Sequence, residues 1–273
     1  MTRRGFTLVE ALLAVVLLAI VGQSMLQLLT VSQRLFRAQS ERAALQAAIR
    51  SGLSLLPAEL RELGPGDIVA LAPDQLVYRG MRSTAVACAL TAGSVSLRRE
   101  LAYGYRAIAA GRDSLLLFVE RDPSSASDDS WEVLPVTGPA GTGLCPDGGP
   151  ATAIPTSVPI ATLDAVELDA PVRTFELMQV RLYQSGGQDW LGSRSVSGGE
   201  SQVQPVLGPL AADGLRFRFL DASGLPTTLP AEVRLVGLTV RGVTDGAIAT
   251  PASAGPTVVA ESLGTDIWLR NAQ

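Results

Sequence analysis

The chain contains no histidine and no lysine; all 22 basic residues are arginine. Ser-His-Asp and Cys-His catalysis need an imidazole, so both are excluded. Ser-Lys dyads, Schiff bases and the phosphate-binding lysine of a P-loop need an amine, and they go too. Cysteine occurs only at Cys88 and Cys145, too few for an ordinary zinc site in a chain without histidine. Carboxylates alone remain for acid–base work or for holding a metal, and no cofactor is expected. The net charge of −4 offers no basic footprint, so no nucleic-acid partner is expected. Arg98 and Arg99 are the only adjacent basic pair beyond the first few residues, and they read as a solvated strand face or loop.

What is present is apolar. Of 273 residues, 47% are hydrophobic, enough to build a core in one large domain or two small ones and too many for wholesale disorder. The longest apolar run opens the chain, in "MTRRGFTLVEALLAVVLLAIVGQSMLQLLTV". From Ala11 to Val31 it is interrupted only by Gln23, Ser24, Gln27 and Thr30. A membrane-spanning helix needs about 20 predominantly apolar residues. Arg3 and Arg4 before it predict a cytoplasmic N-terminus, with the bulk of the chain across the membrane. An ordinary secretory signal peptide is the competing reading. It fits the "MTRR" start but not Glu10, which puts a carboxylate at the mouth of the apolar run, and no A-x-A cleavage site follows.

The stretch "RRGFTLVEALLAVVLLAI" resembles the prepilin leader of type IV pilins and type II secretion pseudopilins: a short basic leader ending in Gly, then Phe, Thr, Leu, a hydrophobic residue, Glu and an apolar helix. The resemblance implies cleavage by a prepilin peptidase between Gly5 and Phe6, N-methylation of Phe6, and retention of the helix. It also implies a role for Glu10. Cleavage frees an amine at Phe6, about 6 Å of helical rise from Glu10. In a bundle of such helices the amine of one subunit approaches the carboxylate of another. Leaving half of a buried pair unmatched commonly costs about 3–5 kcal/mol, which drives docking and sets axial register. Otherwise Glu10 simply snorkels to the cytoplasmic interface.

Helical periodicity continues through residues 32–63. Leu45, Ile49, Leu53, Leu56, Leu60 and Leu63 form one apolar stripe, the pattern of a helix packed on a core. Pro57 is expected to kink or restart the helix, and Gly64 with Pro65 to end it. From residue 66 onward, short β-rich runs separated by Gly, Pro, Asp and Ser predict antiparallel sheet. They include "DIVALAPDQLVYRG", "AVACAL", "DSLLLFVE", "FELMQVRLYQ", "GLRFRFLD" and "EVRLVGLTVRGV". The expected architecture is α+β, a long N-terminal helix with a transmembrane first half, packed by its second half on an antiparallel β-sheet head. Its expected parts are a leader at 1–5, a transmembrane assembly helix at 6–31, an amphipathic continuation at 32–64 and an extracytoplasmic head at 65–273. The segment 137–160, rich in Gly, Pro and Thr, reads as a long irregular loop. "LGPLAADGLRFRFLDASG", "LPAEVRLVGLTVRG" and the closing "WLRN" are loosely similar to PilW-type minor pilins and, in part, to J-type minor pseudopilins. Unlike many major pilins, the chain has no Pro between residues 6 and 56.

Few other residues suggest chemistry. With the head outside the cytoplasm, a Cys88–Cys145 disulfide is permitted and contributes about 4 kcal/mol in the chain-entropy model; the alternative is a buried free Cys88 and a loop thiol. "DASG" at 221–224 departs from the aspartic protease pattern and reads as a turn. "SSASDDS" lacks the spacing of a calcium loop. Trp131, Trp190 and Trp268 read as core or sheet-face residues. Three functions remain open: a structural minor pilin or pseudopilin with other pilins, the prepilin peptidase and the inner membrane as partners; a filament-tip adhesin or substrate-binding head on the same anchor, motivated by the 137–160 loop; and a secreted enzyme, disfavoured by the missing His and Lys.

Overall fold

A computed structural model of the chain describes residues 7–104, 106–121, 124–125, 129–166, 169–249 and 255–270. One helix, α1, runs from Leu8 to Leu60. Ala and Leu, both strong helix formers, dominate it. Every residue from Leu8 to Arg37 is exposed. Beyond that point the helix buries one stripe: Ala38, Leu45, Ile49, Gly52, Leu56, Pro57 and Leu60, with Leu53 partly buried beside them. Each fully buried Leu or Ile contributes roughly 1.5–3 kcal/mol.

The stripe lies on an antiparallel sheet of thirteen described strands. They are β1 (Ile68–Ala72), β2 (Gln75–Thr91), β3 (Ser94–Arg98), β4 (Tyr103–Gly104), β5 (Asp113–Val119), β6 (Ser130–Pro135), β7 (Gly141–Leu144), β8 (Pro150–Pro155), β9 (Ala170–Ser185), β10 (Gln188–Ser195), β11 (Gln204–Leu220), β12 (Leu235–Val243) and β13 (Ala260–Trp268). A short helix, α2, spans Ile160–Leu163. The main path through the sheet is β13-β12-β11-β10-β9-β2-β3-β8-β7; β1 and β4 add to β2, and β5 and β6 branch from β9. α1 crosses β11, β12, β13 and part of β2. Glycine permits the close approach: a Cβ on Gly52 would come 2.4 Å from Leu207, and one on Gly242 would come 2.6 Å from Leu45. Gly186 and Gly187, both at positive φ, form the two-residue turn between β9 and β10, a geometry that favours glycine at both positions.

Two apolar cores share the sheet. The larger joins Leu56, Leu60 and Leu63 to Leu76, Tyr78, Val180, Leu191 and the inward residues of β11 and β12. The smaller joins Ala85, Val95, Leu115, Leu117, Leu134, Ile154 and Val172. Strands β2 and β9 are long enough to serve both. Where the cores meet, β2 carries one extra residue: Met81 faces Phe175 and Ser83 faces Thr174, which leaves Arg82 as a bulge. A bulge re-aims a side chain. Here the Arg82 Nε donates to Glu176 and its Nη1 donates to Glu59 on α1, each at 3.0 Å. Glu176 is only 2% exposed. It also accepts from Arg106 at 3.0 Å and from the Arg112 Nε, while Arg106 forks onto Asp113 with two bonds of 2.7 Å.

The architecture is α+β as expected, and the apolar stripe meets the sheet as its periodicity predicts. Several details differ. Pro57 neither restarts nor ends the helix; it is buried within the last turn. The helix stops at Leu60 rather than Leu63, and Gly64, at φ −89°, is no left-handed stop. Leu63 is nevertheless fully buried, just past the helix end. "QLVYRGMRSTAVACALT" is one strand rather than two runs, continuous through its bulge. Residues 137–160 are not a long irregular loop. They contain the β7–β8 hairpin, and β8 pairs with β3 from Ala151 to Pro155. Its composition hid it, because prolines sit at both ends of β8, where they disturb the ladder least, and only Ala151 and Ile154 are fully buried, in different clusters.

Burial raises the Glu176 carboxyl, but bonds from Ser195, Arg112, Arg82 and Arg106 outweigh it and take the carboxyl from 4.5 down to about 2. A depressed carboxyl stabilises the fold above its unfolded value and loses that contribution as the pH falls through its folded value. Stability is therefore expected to fall between pH 4.5 and about 2. Glu176→Gln is expected to cost about 3–5 kcal/mol at neutral pH, since it leaves buried guanidinium charge unmatched, and to flatten that acid limb. Denaturant unfolding of the full chain in detergent across this range checks both.

Candidate functional site

The feature that sets this chain apart is the exposed first half of α1. It is long and apolar enough to cross a membrane, and none of its most apolar window is buried. Leu8, Leu18 and Leu28 are each more than 70% exposed. Such a surface is not left in water. Two of its polar residues are satisfied within the helix. Ser24 donates to the Ile20 carbonyl at 2.9 Å, and Thr30 to the Gln27 carbonyl at 2.8 Å. Neither therefore brings an unpaired hydroxyl into hydrocarbon.

At the N-terminal end, Thr7 caps the helix. The Thr7 hydroxyl accepts from the Glu10 backbone N–H at 3.3 Å, and the Glu10 carboxylate accepts from the Thr7 N–H at 3.1 Å. The Thr7 hydroxyl also donates to Glu10 at 3.1 Å. This is a reciprocal capping box, and the negative charge sits favourably at the positive end of the helix dipole. In the uncleaved chain Glu10 thus has a partner of its own, three residues away on the same helix. Sequence reasoning singled out Glu10 and missed Thr7, although "TLVE" carries the T-x-x-E signature. Arg3, Arg4, Gly5 and Phe6 lie outside the described residues.

Residues 1–22 match the family described as the prokaryotic N-terminal methylation motif. The chain carries a prepilin-type N-terminal methylation motif. The matched residues take in the start of α1, which runs on to Leu60 and lays its second half on the antiparallel sheet. No curated protein and no solved structure matches the chain.

Other sequence candidates are placed as follows. Cys88 and Cys145 are bonded, with Cα atoms 5.4 Å apart, and both are buried against Ala151. The bridge straps the turn between β7 and β8 to β2. Beside it Arg98, at the end of β3, reaches Asp147 at 2.7 Å and Asp169 at 3.4 Å, so Arg98 is paired rather than simply solvated. In "DASG", the Asp221 side chain accepts from the backbone N–H groups of Ser223 and Leu225 at 2.8 and 2.9 Å, and Gly224 takes positive φ: the segment is a turn. Ala126, Ser127 and Asp128 of "SSASDDS" lie outside the described residues. Among the described residues no group of three Cys, Asp or Glu is placed to hold a metal. The tryptophans lie on sheet faces rather than in the core. Trp131 is 43% exposed and Trp268 63% exposed, while Trp190 is half-buried. The Glu176 charge cluster escaped sequence reasoning because its members come from distant segments with no shared motif.

Closing 57 residues, the bridge is worth about 4 kcal/mol in the chain-entropy model. Cys88→Ser, or reduction of the wild-type chain, is expected to lower the thermal midpoint by several degrees and to expose residues 141–155 to proteolysis first. Limited proteolysis with and without reductant checks this.

Proposed function

We propose that the chain is a structural minor pilin or pseudopilin. Prepilin peptidase cuts it between Gly5 and Phe6 on the cytoplasmic side, Phe6 is N-methylated, and α1 anchors it in the inner membrane with the sheet head outside. It then joins other pilins through α1 in a type IV pilus or type II secretion pseudopilus, where it helps to prime assembly. The observation that carries this reading is the continuity of the methylation motif at residues 1–22 with a helix whose apolar surface is fully exposed over its first half. In the filament the Glu10 carboxylate meets the Phe6 amine of a neighbour. The loose similarity to PilW-type minor pilins supports the minor-subunit role.

No step of this role is catalytic. A binding head at the filament tip is the second reading. The segment 137–160 that motivated it forms a strapped hairpin, so it lends that reading no support. A secreted enzyme would require loss of α1 and a mature start near Ser24.

Mass spectrometry of the chain from cells with an active prepilin peptidase is expected to find a methylated Phe6 at the N-terminus. Glu10→Ala is expected to leave processing intact and to cut incorporation into sheared filaments at least tenfold. A chain still beginning at Met1 in assembled filaments would overturn the reading.

A further inference from the structure

The head carries an open pocket of about 940 Å3. It lies where the end of α1, the bulge of β2, β4, β6, β9 and the residue after Leu269 converge. Its chemistry is set by Glu62, Arg82, Tyr103, Trp131, Arg173 and Arg270, three cations against one carboxylate in a chain whose net charge is negative.

The charges are unequally engaged. Arg82 is taken up by Glu176 and Glu59. Arg173 donates to the Glu62 carbonyl at 3.2 Å and stands 5.9 Å over the Trp131 ring; its ion pair with Asp67 is long, at 3.9 Å. Arg270 lies 3.8 Å from Glu62, beyond hydrogen-bond distance. Its guanidinium makes no hydrogen bond among the described residues, and it is 63% exposed. A guanidinium with unspent donors is a fork for a carboxylate. Tyr103, 66% exposed, and Trp131, 43% exposed, supply ring surface beside it.

The pocket also coincides with a gap in the sheet. β9 covers one edge of β2 from Gln75 to Ala87. On the other edge β1 reaches Tyr78, β4 covers Ser83 and Thr84, and β3 begins at Ala87. No described strand covers that edge between Tyr78 and Ser83, and Met81 and Arg82 line the pocket there. The gap is about 13 Å long at strand rise. An uncovered strand edge offers backbone donors and acceptors to an incoming strand.

We propose that this pocket takes an extended acidic segment of a neighbouring protein, laid along the open edge of β2. Its carboxylates fork onto Arg270 and Arg173, and its apolar side chains rest on Trp131 and Tyr103. The ladder gap favours a peptide over a small anion, because a small anion would use the guanidinium groups and leave the edge empty. The inference draws on the proposed function only for the side of the membrane on which the partner lies. Its test uses the purified full chain, so it stands or falls separately from cleavage at Gly5.

The probe is an acetylated hexapeptide of alternating glutamate and valine, titrated into the chain in detergent micelles while tryptophan fluorescence is recorded. A saturable, salt-sensitive change is expected, lost as a signal in Trp131→Phe. Affinity is expected to fall at least about tenfold in Arg270→Glu, a loss of roughly 1.4 kcal/mol. Arg270 is exposed enough that this change leaves the fold intact, which near-UV circular dichroism verifies; Arg173→Gln should weaken binding in the same sense. The matching glutamine–valine and lysine–valine peptides should give no saturable response. Equal binding of the glutamine–valine peptide, unchanged affinity in Arg270→Glu, or equal affinity for free glutamate would each overturn the proposal.

Discussion

The head depends on the burial of a single helical stripe. Leu45, Ile49, Leu56 and Leu60 are buried on the helix face that meets the sheet, and Leu56 and Leu60 share one core with the inner residues of β11 and β12. The glycines at 52 and 242 matter for the same reason: they let backbone and side chain approach until the two surfaces interdigitate. The first half of α1 obeys the opposite rule. It is exposed from Leu8 to Arg37, and its apolar window is long enough to cross a membrane.

The second constraint is electrostatic. Glu176 is buried where the two cores meet, and a buried carboxylate survives only when matched. Arg82, Arg106 and Arg112 match it, and Arg82 also holds Glu59. The cluster thereby joins the last turn of α1 to both halves of the sheet. Arginine suits the task, because its planar fork serves two carboxylates at once and stays charged when partly buried. A chain without lysine has only this cation to use.

The pocket near Arg270 shares residues with that cluster. Arg82 is spent inward on Glu176 and Glu59, whereas the Arg270 guanidinium is exposed, stands 3.8 Å from Glu62 and makes no hydrogen bond among the described residues. The same bulge that aims Arg82 at Glu176 lies in the stretch of β2 edge that no described strand covers, so the junction of the cores and the open ladder are two sides of one irregularity.

Local patterns were legible because their causes are local. The 3.6-residue spacing from Leu45 to Leu60 announces a helix with one buried face, the charge-free run after Glu10 announces a membrane-length segment, and "TLVE" announces a cap to a reader who looks for it. Strand-length runs between turn residues disclosed the antiparallel sheet. What lay outside that reach was everything set by partners distant in the chain. Pro57 remains helical because tertiary burial outweighs its lost backbone bond. Residues 141–155 form strands because β3 and the Cys88 bridge are there to receive them, and Gly and Pro composition conceals that. Glu176 and its three arginines belong together only once β2, β5 and β9 pair. Sequence alone therefore determined the anchor, its cap and the class of fold, since those follow from neighbours within one or two turns. The tertiary structure alone decided where the helix stops, how the cores are joined and which strand edge stays open, since those depend on what packs against what.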